Sequence, residues 1–368
     1  MVSLMLNIRA LHVSWGKMQG VFLHRRDFTQ MKKETVTTNQ ITEGVIWKQL
    51  LLFFFPIVLG TFFQQLYNTA DTIVVGRFVS KEALAAVGGS AAQIVGLIVG
   101  FFVGLASGAS VIISQFYGAK NRVQLNRALH TAYAFSIIGS IFITVLGILI
   151  APWMLELMHT PQETMADALL YLRIYFAGII FVFIYNVGSS ILRAMGDSRR
   201  PLYYLIVCCF LNIVLDIVLV IVFHMGVAGV SIATIFSQGV SAVLITRALM
   251  HSDDLYQLEF RKIRFHKSAL ISLIWVGCPT GIQSVLYSVT NMLIQTFLNN
   301  LGTDTVAAWS AFGKIDSLYW MVNNAFGIAV TTFVGQNFGA GKYDRMKKSV
   351  RIGLCMGLCT ALTLTLIF

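Results

Sequence analysis

Long apolar runs separated by short polar connections dominate the chain. A helix that crosses the hydrocarbon core of a bilayer needs about 20 mostly apolar residues. Nine stretches meet that requirement, at roughly 48–75, 84–114, 128–150, 168–192, 202–223, 227–249, 268–299, 306–334 and 350–368. The chain stops at Phe368 inside the last of them, so eight full spans and a fragment of a ninth are expected. The pattern predicts an all-α integral membrane protein.

Lysine and arginine test this count independently. From the N-terminal tail onward, alternate connections hold 7, 3, 3, 5 and 5 basic residues, and those between them hold 2, 0, 0 and 0. The 247–267 connection carries Arg247, Arg261, Lys262, Arg264 and Lys267, whereas 151–167 carries only acids, Glu156, Glu163 and Asp167. Basic residues accumulate in cytoplasmic loops. The alternation therefore predicts a cytoplasmic N-terminus, and a wrong helix count would have scrambled it.

Composition agrees. Of the 368 residues 57% are hydrophobic and 12% charged, against about 25% charged in soluble domains. The net charge of +11 would suggest nucleic acid in a soluble chain. Here the charges sit in loops and report topology, so no nucleic-acid partner is expected; the lipid bilayer is. Cys208, Cys209, Cys278, Cys355 and Cys359 all lie in apolar runs without zinc or haem spacing, which predicts reduced, lipid-embedded thiols and no metal site. Residues 1–30 contain neither a signal-peptide core nor a span, and Met31-Lys-Lys-Glu is a candidate translation start, making 1–30 a candidate spurious extension.

The chain repeats itself. Ser-Gln-Phe-Tyr-Gly-Ala at 114–119 matches Gly-Gln-Asn-Phe-Gly-Ala at 335–340, Leu-Ala-Ala-Val at 84–87 matches Val-Ala-Ala-Trp at 306–309, and Pro56 and Asn68 pair with Pro279 and Asn291. An even number of spans separates the copies. Both therefore enter the membrane from the same side, as parallel repeats whose two halves would enclose a substrate path. Gly96, Gly100, Gly104 and Gly108 form a stripe on one face of the second span, the pattern of close helix packing.

Three acids fall within spans: Asp71, Asp216 and Asp316. A carboxylate at the bilayer centre costs roughly 2.5–3.5 kcal/mol on insertion scales, so such residues are kept where they face a polar cavity. Gln64, Asn68 and Asp71 are spaced i, i+4, i+7, which predicts one polar face pointing into the bundle. Asn212 lies one turn before Asp216. Their hard oxygens suit Na⁺, and the same carboxylates can take a proton; a buried interhelical hydrogen bond is the plainer reading. Asp316 follows Lys314 by two residues and does not share its face. Snorkelling accounts for Arg173, and His130, His159 and His224 at span ends carry no expected chemistry. No phosphate-cradling loop and no Ser/His/Asp or Cys/His arrangement stands out, so an enzyme is not expected.

These residues resemble the multidrug and toxic compound extrusion family, bacterial type. The likeness runs over 45–368 and rests on Tyr-Asn-Thr-Ala-Asp-Thr-Ile-Val-Val-Gly-Arg at 67–77 after Pro56, Gln115 to Lys120 repeated at 336–341, Leu-Arg-Ala-Met-Gly-Asp-Ser at 192–198 before Pro201, and Asn212 with Asp216. The resemblance implies twelve helices in two six-helix lobes, of which about eight and a half are present here. That gives a tail at 1–44, a first lobe at 45–250, a basic linker at 251–267 and a partial second lobe at 268–368. It implies export of small cationic amphipathic drugs in exchange for Na⁺ or H⁺ by alternating access, with no other cofactor, by a monomer in the inner (plasma) membrane. The implied cation site falls on Asp71, Asn212 and Asp216, with Thr234 and Tyr171 matching by spacing. Gln64, Asn68, Tyr287 and Asp316 are the substrate-cavity candidates. Tyr287 stands where some members carry an acid, so coupling is expected in the first lobe alone. The rival readings are an inactive truncated remnant and a lipid-linked precursor flippase, whose cavity would have to be basic.

Overall fold

The computed structural model describes residues 41–252, 256–299 and 303–367. The tail before residue 41, with the candidate start Met31, lies outside the described residues, as does the side chain of Lys314. Each expected span is a helix. They are α1 (Ile46–Phe78), a second span broken at Gly89 into α2 (Lys81–Gly88) and α3 (Ser90–Gly118), α4 (Arg122–Leu157), α5 (Gln162–Ala194), α6 (Arg199–Asp216), α7 (Gly226–Met250), α8 (Lys267–Asn299), α9 (Thr303–Gly339) and α10 (Tyr343–Ile367). Among the described residues, seven spans are long and apolar enough to cross a membrane, and α5, bent by 51° between Ala177 and Ile179, makes an eighth if counted as one span. The stretch expected to cross at 306–334 is helical over its whole length but falls outside that group, since Asn323 and Asn324 sit in its middle.

Local chemistry places the ends. Ser80 accepts the Ala83 amide at 3.0 Å and Asn121 accepts that of Gln124 at 3.1 Å, so short polar side chains open α2 and α4. The α5 helix stops at Gly196, whose φ of +97° suits glycine. Beyond Asp216, α6 continues as a π turn over Ile217–Val222, a widened turn common at functional sites.

The outer surface is apolar, as lipid demands: Phe142, Leu149, Trp153 and Val243 are all exposed. Inside, one core joins α3, α4, α5, α6 and α7 to the start of α8. Another joins α1 to α9 and α10, with Phe54 and Phe326 stacked at 3.9 Å. The glycine stripe does what packing predicts. A Cβ on Gly104 would stand 2.5 Å from Gly281, and one on Gly108 would stand 2.5 Å from Gly277, so α3 and α8 cross backbone to backbone. At Gly96 the seam opens into a cavity of about 350 Å³ between α3, α8 and α9.

The basic linker is folded back onto the bundle. His130 is buried. Its Nδ1–H faces the Asn126 carbonyl at 2.7 Å, and its Nε2 accepts the Glu259 amide at 3.1 Å. Thr131 accepts the His266 amide at 3.1 Å, and the Leu258 amide donates to the Leu249 carbonyl at 3.0 Å. His130 thus plays a structural part: Nδ1 is fixed within α4, and Nε2 fastens the linker to that helix.

Candidate functional site

Four helices bring their polar residues to one place. Asp71 comes from α1, Tyr171 and Tyr175 from α5, Asn212 and Asp216 from α6, and Thr234 and Gln238 from α7. Valines and an alanine of α1, α2, the π turn and α7 (Val74, Val75, Ala83, Val220, Val227 and Val230) pack into an apolar floor that also touches Tyr171. That floor and the surrounding rings remove the carboxylates from solvent: Asp71, Asn212, Asp216 and Thr234 are all buried, Asp216 completely.

Thr234 donates its hydroxyl to Asp71 Oδ2 at 3.2 Å, within reach also of the Val230 carbonyl at 3.0 Å. Asn212 and Asp216 face Asp71 closely enough to interact with it. Yet Asp71 Oδ1, both Asp216 oxygens and both polar atoms of Asn212 have no hydrogen-bond partner. Buried polar atoms are nearly always paired, and each exception asks for an explanation. Here four of the unmatched atoms are oxygens gathered around two facing carboxylates. Such a set suits a hard monovalent cation or a proton bound between the acids.

Aromatic hydroxyls ring this cluster. Tyr171 and Tyr175 stack at 6.0 Å, and both, with Tyr67, lie within electrostatic reach of Asp71. Gln238 donates to the Tyr67 hydroxyl at 3.1 Å, leaving its own Oε1 without a partner. Tyr67, Tyr175 and Gln238 escaped the reading of the sequence. Each lies one turn from a residue already singled out: Asp71, Tyr171 and Thr234. An i±4 search for polar neighbours would have found all three.

Gln64 and Asn68 are exposed and stand outside the buried cluster. Gln64 points within about 20° of Asp71 on α1 but two turns earlier, and Asn68 about 60° away. The polar stripe is thus buried at its Asp71 end alone. Tyr287 and Asp316 lie elsewhere, on α8 and α9. Tyr287 is exposed and meets Trp320 edge-on at 5.4 Å, while Asp316 is half-buried.

The chain as a whole resembles known proteins. The MatE family model matches residues 56–218 and 279–368. The probable multidrug resistance protein YpnP of Bacillus subtilis is 33% identical over 307 residues, covering 83% of this chain and 68% of its own. The probable multidrug resistance protein YoeA of the same organism is 29% identical over 334 residues, covering 88% and 72%. Among solved structures, one described as an outward-facing conformation of a multidrug resistance MATE family transporter of the MOP superfamily superposes with a TM-score of 0.83 at 24% identity, over 91% of this chain and 74% of that one. With the helical architecture and motif order already described, these matches make the chain a membrane transporter of the MatE family.

Proposed function

We propose that the protein exports small organic cations in exchange for Na⁺ or H⁺, and that Asp71, Asn212 and Asp216 bind the coupling ion. The observation that carries this reading is the buried pair of facing carboxylates with unmatched oxygens. Two such charges repel in a low-dielectric interior, and one bound cation relieves the repulsion. If the ion is Na⁺, the oxygens of Asp71, Asn212 and Asp216 would hold it, with the Thr234 hydroxyl adjacent. If it is a proton, the two carboxyls would share it. Moving one charge through 100 mV supplies about 2.3 kcal/mol, enough for a concentration ratio of tens-fold.

The halves 45–250 and 268–368 would rock against each other along the α3–α8 seam, with the basic loops in the cytoplasm and the protein in the plasma membrane. The bend beside Gly178 and the π turn after Asp216 flank the ion cluster and are soft points through which occupancy could act. Names of relatives such as multidrug resistance protein support a drug cargo. A flippase for lipid-linked anions fits less well, since among the described residues Gln93, Ser288, Asn291 and Trp309 line the cavity without a basic side chain.

The test is ethidium efflux from proteoliposomes driven separately by a Na⁺ and a pH gradient. Asp71→Asn and Asp216→Asn should each abolish gradient-driven efflux while the protein still inserts. Wild-type efflux in either variant would sink the assignment of the coupling site.

A further inference from the structure

The linker between the halves has two faces. Tyr256 and Leu258 are buried in the core of the first half, and Ile263 packs against the same core. Residues 260–267 carry Arg261, Lys262, Arg264 and Lys267 and no acid. All four are exposed, and so are Phe260, at 58%, and Phe265, at 42%. Singly exposed apolar residues are common. Two phenylalanines interleaved with guanidinium and ammonium groups are different: that combination suits a segment lying on an anionic membrane surface. A short turn at Phe260–Lys262, closed by the Lys262 amide on the Glu259 carbonyl at 2.9 Å, fixes this stretch against the bundle.

One spot on this face is specific. The His266 amide donates to Thr131, which lays the end of the linker over α4. Arg127 is one turn before Thr131 on the same side of that helix. Arg264 donates from Nε to His266 Nε2 at 3.3 Å. Both arginines therefore lie about one imidazole, close enough to act on it electrostatically. Both are exposed, and among the described residues neither forms an ion pair. Like charges gathered without a counter-ion favour a bound anion, and the arginine fork matches phosphate oxygens. Beyond Lys267 the exposed side of α8 continues through Ile271, Ile274 and Trp275, an apolar face suited to acyl chains. An acidic protein partner would meet the charges but not the apolar face that runs on from them.

We propose that one anionic phospholipid seats its phosphate between Arg127 and Arg264, with its chains against Phe265 and the exposed side of α8. Phe260, Arg261 and Lys262 rest among neighbouring headgroups. The linker is thereby a lipid-binding element as well as a connection. The site is separate from the Asp71 cluster and takes from the proposed function only the placing of the basic loops at the cytoplasmic leaflet.

Native mass spectrometry of the purified full chain, with dioleoylphosphatidylglycerol or dioleoylphosphatidylcholine titrated into the detergent, tests it. The wild type should retain one phosphatidylglycerol about tenfold more tightly than phosphatidylcholine. Arg127→Gln with Arg264→Gln should remove that preference without lowering the melting temperature, and Phe265→Ser should weaken phosphatidylglycerol binding several-fold. Arg199→Gln, another exposed arginine of the basic loops, should leave it unchanged. Glycerol 3-phosphate, a headgroup without chains, should not displace the lipid. Equal retention of the two lipids overturns the proposal, as does a loss in Arg199→Gln as deep as in the double variant, or displacement by glycerol 3-phosphate. A dimer that Phe265→Ser abolishes also overturns it, since the face would then join two copies of the chain. Binding in detergent does not depend on orientation, so failure here leaves the topology standing. Labelling of Lys262 in intact cells by an impermeant amine reagent, with lipid retention unchanged, would overturn the topology alone.

Discussion

Gly118 of α3 lies against the main-chain carbonyl of Gln336 in α9, with no room for a Cβ between them. Gly339 of α9 lies in the same way against the carbonyl of Gln115 in α3. Both pairs come from the repeated hexapeptide, and the contact is reciprocal: each copy offers its glycine to the other's glutamine. Reciprocity of this kind marks a two-fold relationship between the segments. It pins the halves together at their basic-loop end, while the seam opens at Gly96.

A side chain at either glycine must push the two helices apart. Gly118→Val and Gly339→Val should each destabilise the detergent-solubilised protein by about 1–3 kcal/mol, the usual cost of overpacking. The two losses should be similar. Gly357→Ala, on α10 where a Cβ meets nothing within 4 Å, should be neutral or slightly stabilising. Thermal melting of the three variants side by side checks the prediction.

The hydroxyl of Thr234 donates to Asp71 Oδ2 at 3.2 Å. Hydrogen bonds to charged groups contribute about 1.5–3 kcal/mol. Thr234→Val keeps the shape and removes the donor, so the coupling ion's apparent affinity should change by about 10–100-fold. Thr234→Ser should stay near wild type. The concentration dependence of ion-driven efflux measures both, and a Val variant indistinguishable from wild type would remove Thr234 from the site.

How much of this was legible beforehand follows from what a sequence encodes. Span positions are a one-dimensional property, and the helices begin and end within a few residues of the expected bounds at most ends. The glycine stripe named a close contact but not its partner: that Gly104 meets Gly281 depends on how distant helices cross. Asp71, Asn212 and Asp216 stood out because acids and amides are conspicuous in apolar helices, whereas Thr234 and Tyr171 came only with the family resemblance. Tyr67 and Tyr175 were hidden, since a tyrosine in a span also reads as an ordinary core or interface residue. That Gln64 and Asn68 stay exposed while Asp71 is buried depends on which helices flank α1 at each turn, which helical spacing does not encode. The π turn after Asp216 left no trace, as Ile-Val-Leu-Val-Ile-Val suits any apolar helix.

The linker should respond to acid. Burial, and then the positive charges of Arg264 and Arg127, hold the His266 imidazole below its usual value of 6.5. The folded state therefore binds the His266 proton less readily than the unfolded chain does. Its contribution is complete above about pH 6.5 and declines as the pH falls below that value. Protonation also removes the acceptor that His266 Nε2 offers to Arg264 Nε at 3.3 Å. Trypsin cleavage at Arg261, Lys262 and Arg264 should accelerate between neutral pH and pH 5.5. His266→Gln should flatten that dependence, and equal acceleration in the variant would locate the response elsewhere.

One guanidinium gathers most of the hydrogen bonds from the second half of the chain to the segment ahead of α1. Arg345, at the start of α10, donates to the carbonyls of Ile41 at 3.2 Å, Glu43 at 2.7 Å and Gly44 at 2.7 Å, and to Gln49 Oε1 at 3.0 Å. Lys342 Nζ adds the Thr42 carbonyl at 2.9 Å. No other side chain supplies five donors in one planar fork, so lysine cannot reproduce the set. Arg345→Ala should cost about 1–3 kcal/mol and release residues 41–44 from the second half of the chain. Arg345→Lys should fall close to the alanine variant, whereas Lys342→Ala should cost less than either. Limited proteolysis near Glu43 under native conditions, read alongside the melting temperature, separates release of the segment from global unfolding. If Arg345→Lys behaves as wild type, the contact is a point charge near the carbonyls and the forked geometry contributes nothing.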